Sequence, residues 1–178
     1  RAWQCLPGHR RARVLIRFHD LVLDREELIL DTIQSETGKT RRDAFTELYS
    51  LAGTARYYAY HGLKSLKPKR RRGALPGLTG ARVFRKPWGL IGLITPWNFP
   101  FLLGLSDALP ALLAGNSVLL KPSERAPMSG ILGRQLLVES GLDGNLLLLA
   151  HGGPDVGARV IENSDYVAFT GGRQAGKA

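Results

Sequence analysis

The sequence predicts an α/β fold in which N-terminal helices are followed by a partial doubly wound parallel sheet. Three observations carry this expectation. From Arg11 to His61 apolar residues recur at spacings of three and four, the period of amphipathic helices. From Gly89 onward, apolar runs of strand length alternate with helical stretches, the βαβα order of a parallel sheet covered on both faces. The chain has 178 residues, 44% of them hydrophobic, enough for one core of ordinary domain size or a large piece of a bigger domain.

Three segments follow in order. In residues 1–62 the helical repeat runs through Leu15, Phe18, Leu21 and Val22, then Leu28, Ile29 and Ile33, then Phe45, Leu48, Leu51, Ala52, Ala55 and Tyr58. Ser35–Lys39 supplies a glycine stop between helices, and Asp20 or Asp24 can cap or charge a helix start. Residues 63–86 read as a basic loop, Lys64–Arg72, and an exposed hairpin arm rich in glycine, Gly73–Lys86. In residues 87–178 the strands are Gly89–Thr95, Ser117–Lys121, Asn145–Ala150 and Tyr166–Phe169. Helices Phe101–Ala114, Met128–Ser140 and Asp155–Asn163 lie between them, and a last helix begins near Gln174.

Charge divides the chain unevenly. The net charge of +10 comes from residues 1–86, with 19 basic and 8 acidic side chains, whereas residues 87–178 hold 6 and 7. Lys64–Arg72 could hold phosphates by charge and so bind nucleic acid in a salt-sensitive way. No aromatic residue interleaves that stretch to stack on bases, so a solvated loop is expected and nucleic acid is not the expected partner. The uncharged run Pro87–Ser106 has the length of a membrane span, but Pro96, Asn98 and Pro100 would break its helix, so a strand and turn are expected. The single cysteine, Cys5, excludes an internal disulfide framework, and the four histidines have no ligand spacing, so no metal site is expected. Arg1–Arg13 lacks the apolar core of a signal peptide; together these features give the expectation of a cytoplasmic protein.

In open parallel sheets ligands bind beyond the carboxyl ends of the strands. Four turns occupy that position: Thr95-Pro96-Trp97-Asn98-Phe99-Pro100, Lys121-Pro122-Ser123-Glu124, His151–Gly157, and Phe169-Thr170-Gly171-Gly172. No G-x-G-x-x-G follows the first strand. Taken together and in this order, however, the turns resemble the aldehyde dehydrogenase superfamily. Glu36-Thr37-Gly38-Lys39 also matches a segment of that family's N-terminal helices, and the hairpin arm lies where the family has its oligomerisation strands.

The resemblance implies a Rossmann-like domain of the aldehyde dehydrogenase type. Its activity would be oxidation of a small aldehyde to a carboxylic acid with NAD(P)+ as hydride acceptor, nearest to the succinate-semialdehyde type. It implies a homo-oligomer when complete. Asn98 would donate its amide to the oxyanion formed when a cysteine thiolate adds to the aldehyde. Ile94, Thr95, Pro96 and Trp97 would line the cofactor cleft. Lys121 and Glu124, with Ser123 beside them, would hold the adenosine ribose, and the carboxylate would favour NAD over NADP, although a neighbouring cation can compensate. Gly153, Gly157, Phe169, Thr170, Gly171, Gly172 and Ala175 would take the diphosphate side, where backbone N–H groups at helix starts suit phosphates. The family usually has Ser where this chain has Gly172, which removes one hydroxyl contact. Six residues follow Gly172, and neither the nucleophilic cysteine nor the general-base glutamate of the family is among them. The expectation is therefore a truncated enzyme, inactive by itself; a non-catalytic nucleotide-binding or assembly module is the competing reading.

Overall fold

The structure, a computed structural model, describes residues 2–75 and 78–177. The helical part comprises α1 (Ala2–Cys5), α2 (Gly8–Asp24), α3 (Glu26–Thr37), α4 (Arg41–Tyr57), a π turn at Tyr58–Gly62 and α5 (Leu63–Leu66). The periodic residues form its core: Leu15, Phe18, Val22, Ile29, Ile33, Leu48, Leu51 and Ala55 are fully buried. Neither Asp20 nor Asp24 caps a helix as expected. Arg25 precedes α3 without a side-chain cap, and Glu26 and Glu27 charge its first turn, while Asp20 pairs with His19 at 2.8 Å. At the other end α3 stops at Gly38, whose φ of 69° places it in the left-handed region that glycine adopts without steric cost. The Thr40 hydroxyl then caps α4 by accepting from the Asp43 amide at 3.2 Å.

The basic stretch is not a loop. Its first part is helical through Leu66, and Lys69–Arg72 is strand β1, paired antiparallel with β2 (Gly80–Val83) from Lys69↔Val83 to Arg72↔Gly80. The ladder pairs the backbone polar groups that face the partner strand, which a loop would leave to water. All eight strand residues are exposed, and Pro76 and Gly77 between them lie outside the described residues, as do positions 1 and 178 at the ends of the outer segments.

Beyond the arm lie β3 (Leu90–Ile94), α6 (Pro100–Ser106), α7 (Ala108–Ala114), β4 (Ser117–Lys121), α8 (Pro127–Glu139), β5 (Leu147–Leu149), α9 (Pro154–Glu162) and β6 (Tyr166–Phe169). The four strands form one parallel sheet in the order β5-β4-β3-β6. The expected single helix over 101–114 is divided at Asp107, because Pro110 has no N–H to bond the Ser106 carbonyl. Where a helix is expected to start near Gln174, the described residues 173–177 form turns, closed by the Gly176 amide on the Gly172 carbonyl at 3.1 Å. No helix among the described residues is long and apolar enough to cross a membrane, and Pro87–Ser106 holds a strand, a turn and a helix.

One buried cluster runs from the helices into the sheet, joining Leu15 and Leu48 to Phe101, Leu109, Leu93 and Val118. Two side chains from the chain start pin α7: Trp3 Nε1 donates to the Leu112 carbonyl and Arg11 Nε to that of Leu113, both at 2.8 Å. A guanidinium suits carbonyls at a helix C-terminus, and burial lowers the Arg11 pKa from its ordinary value.

Candidate functional site

Strand order determines where the site lies. From β3 the chain adds β4 and β5 on one side and returns with β6 on the other, so the connections diverge between β3 and β6. Such a divergence opens a crevice beyond the strands' carboxyl ends. Backbone bonds carry the ladder past the strands there, with the Thr95 amide on the Lys121 carbonyl at 3.1 Å and the Thr170 amide on the Ile94 carbonyl at 2.9 Å. The turns after β3, β4 and β6 are thereby held side by side. A cavity of about 520 Å³ sits at the divergence, lined by Pro96, Trp97, Asn98, Leu103, Thr170, Gly171 and Gly172.

Polar groups at this end of the sheet fall in two sets. Asn98 lines the cavity and is exposed; Ile94 and Thr95, expected in the cleft wall, lie behind the lining, where the Thr95 hydroxyl is buried with no hydrogen-bond partner among the described residues. A Cβ on Gly172 would meet nothing within 4 Å, whereas one on Gly171 would come within 2.6 Å of Phe169 Cζ. At the end of β4, the buried Lys121 places its ammonium 3.5 Å from the Glu124 carboxylate, which is 58% exposed. The Glu124 carboxyl is held below the usual carboxylate range, first by a hydrogen bond from its own backbone amide, then by attraction to Lys121 and Arg125. Ser123 accepts the Arg125 amide at 3.3 Å, and the Arg125 guanidinium lies 5.9 Å from the centre of the Trp97 ring, so the β3 and β4 turns touch.

Gly153 and Gly157 depart from their expected geometry. Gly153 immediately precedes α9, but Gly157 lies inside that helix with its amide already bonded to the Gly153 carbonyl at 3.2 Å. Its contribution is the missing side chain, since a Cβ there would rest 3.8 Å from Lys121 Cδ and 4.0 Å from Ile94 Cδ1. Gly172 likewise opens no helix, because none follows it among the described residues, and Ala175 is exposed within those turns rather than lining the cavity.

Three residues behind the turns received no role from the sequence. Glu36, at the end of α3, accepts the Ser129 amide at 2.8 Å, the Ser129 hydroxyl at 2.6 Å and the Met128 amide, and so caps α8. Glu47, completely buried, accepts the amides of Phe101 and Leu102 at 3.1 and 3.2 Å and caps α6. Lys39 pairs with Glu47 and lies 3.8 Å from the centre of the Phe99 ring. One signal was available: Glu47 stands three residues after Ala44 and four before Leu51, on the apolar stripe of its helix.

The chain is similar in sequence and fold to known proteins. A Mycolicibacterium smegmatis protein that carries the name succinate-semialdehyde dehydrogenase, NADP(+), is 42% identical over 178 residues, covering 99% of this chain and 34% of its own length. A 4,4'-diapolycopene aldehyde oxidase of a Methylomonas species is 36% identical over 181 residues, with coverages of 99% and 34%. Among solved structures, the NADP-dependent glyceraldehyde-3-phosphate dehydrogenase of Bacillus halodurans, complexed with NADP, superimposes with a TM-score of 0.91 at 29% identity. It is matched over 99% of this chain and 38% of that one. The chain thus spans about a third of the length of the relatives it matches. The profile of the Aldehyde dehydrogenase family matches residues 1–178, and the chain belongs to that family.

Proposed function

We propose that this chain supplies the nicotinamide-dinucleotide cleft and the oxyanion donor of an enzyme that oxidises an aldehyde to a carboxylic acid with NAD(P)+ as hydride acceptor. The observation that supports this reading best is the 520 Å³ cavity at the divergence of β3 and β6, which brings Asn98 opposite the Thr170–Gly172 turn. The residues fit the cofactor in two respects. The buried Thr95 hydroxyl has an unused hydrogen-bonding capacity at the mouth of the sheet, and the Gly171–Gly172 floor has no side chain to obstruct a close approach. Lys121 and Glu124 would hold the adenosine ribose; Gly153 and Gly172 would let the diphosphate approach; Ile94, Pro96 and Trp97 would wall the nicotinamide side. The bound dinucleotide supplies the hydride acceptor. Asn98 donates an N–H to the oxygen on which negative charge develops, a preorganised dipole whose loss in comparable sites costs roughly 2.7–4 kcal/mol of barrier.

Glu124 disfavours a ribose phosphate and Arg125 beside it favours one, so both cofactors belong in the test. A semialdehyde is the proposed substrate class, on the name of the Mycolicibacterium smegmatis relative. The exposed β1–β2 arm is the proposed assembly element, because an open, unpaired ribbon edge is a template for another strand. A cytoplasmic location is proposed on composition. Titration with NAD+ and NADP+, followed by tryptophan fluorescence, tests the cleft: saturable quenching with a dissociation constant below a millimolar is expected, and no binding of either cofactor at millimolar concentration overturns the reading.

A further inference from the structure

The Asn98-bearing turn and the Ser123–Glu124 turn each run directly into a helix whose first amides are held by a carboxylate from the N-terminal helices. Asn98 is followed by Phe99 and Pro100 and then by the two amides on Glu47, Phe101 and Leu102. Glu124 is followed four residues later by the amides on Glu36, those of Met128 and Ser129. Helix starts leave such amides without intrahelical partners, and a carboxylate at that position is favoured by the helix dipole as well.

The two braces share one segment. Glu36 and Lys39 flank the α3 stop at Gly38, and the Lys39 ammonium both pairs with Glu47 and covers the Phe99 ring next to Asn98. Gln34 Nε2 bonds the Lys39 carbonyl at 3.1 Å and so ties this segment to α3. Full burial of Glu47 excludes water from competing for those amides, and the 18% exposure of Lys39 leaves the pair within reach of the cleft rim.

We infer that Glu36 and Glu47 are positioning residues, Glu47 with Lys39 setting the Trp97–Phe99 turn and Glu36 setting the Ser123–Arg125 turn, so that the two halves of the cofactor site are registered against each other through the Glu36–Lys39 segment. The ligand consequence rests on the cofactor reading of the cleft; the ordering of the two turns does not. Each carboxylate acts on its own turn, so their loss has separable effects, which general destabilisation does not produce.

The test compares the full chain with Glu36→Gln, Glu47→Gln and, as a purely structural lesion, Arg11→Met, which removes the bond from α2 to the Leu113 carbonyl, away from both braces. Hydrogen exchange of the unliganded proteins reads the positioning directly. Glu47→Gln is expected to speed exchange at residues 97–102 and spare 123–129, Glu36→Gln to do the reverse, and Arg11→Met to touch neither. Ligand binding reads the consequence. Glu36→Gln is expected to weaken 5′-AMP, a probe of the ribose turn, by about fivefold, and Glu47→Gln to spare AMP but weaken the dinucleotide by about fivefold. Uniform changes along the chain, equal losses for both probes, or no change in either variant overturn the inference. The local exchange pattern without any cofactor binding by the unsubstituted chain overturns the cofactor reading and leaves the positioning standing.

Discussion

The turn after β3 and the turn after β6 line the same cavity yet are held in opposite ways. The first is anchored from behind: Pro100 starts α6, Glu47 takes the next two amides, and Lys39 covers Phe99. Among the described residues the second shows no such brace: residues 173–177 are exposed turns, and a Cβ on Gly172 would meet nothing within 4 Å. On the proposed reading, the first side would present a fixed dipole to a reacting oxygen and would gain from rigidity. The second, made of glycine backbone, would adapt to the phosphates of the proposed cofactor.

The largest effect is expected on the braced side. Glu47→Ala leaves two amides and the Lys39 ammonium without their fully buried partner, a change of about 3 kcal/mol. For a domain of this size a melting temperature lower by roughly 10 °C is expected in a thermal scan. A shift under 2 °C would show that the brace is dispensable and would remove the contrast between the turns.

On the unbraced side the effects should be smaller and confined to binding. Gly171→Ala puts a methyl 2.6 Å from Phe169 Cζ, and the 40% exposed ring can swing aside. Little change in melting temperature is expected, with about threefold weaker cofactor binding because the displaced ring crowds the cavity. Gly172→Ser enters open space and restores the hydroxyl usual in the family. Unchanged stability and about threefold tighter binding by fluorescence titration are expected, the worth of part of one added hydrogen bond. Weaker binding would show that this turn needs its side-chain-free surface.

The smallest effect concerns pH at Glu124. Its carboxyl is held below the usual carboxylate range in the folded chain, so it stays ionised as pH falls from neutrality to 5. A depressed folded-state pKa contributes stability that is present above the unfolded value and lost as pH falls through the folded one. Any contribution of Glu124 to stability or ribose binding should therefore be constant from pH 7 to 5 and decline only at lower pH, and Glu124→Gln should flatten that decline. With the Glu124 carboxylate 58% exposed, the stability part is at most about 1 kcal/mol. Loss of the Glu124 contribution between pH 7 and 6 would contradict the assignment.

Periodicity and turn chemistry were local signals, and they located the strands Ser117–Lys121 and Tyr166–Phe169 and the turns that follow them. The same local reading took Lys64–Arg72 for a loop, because a run of cations resembles a solvated segment until a partner strand 80–83 pairs with it. It also projected a helix starting near Gln174, where the described residues 173–177 form turns. Gly157 was assigned a free amide, yet the helix it lies in begins earlier and uses that amide.

The sequence alone determined the fold class, the four strands of the parallel sheet, and the family, because each rests on neighbouring residues within one element or one turn. Tertiary structure decided the strand order, and with it the cavity between β3 and β6. It also decided the partners of Glu36 and Glu47, which lie 93 and 54 residues away at Ser129 and Phe101. The physical reason is that a carboxylate reads the same in sequence whether solvated or buried; its role is set by the amides that folding brings to it.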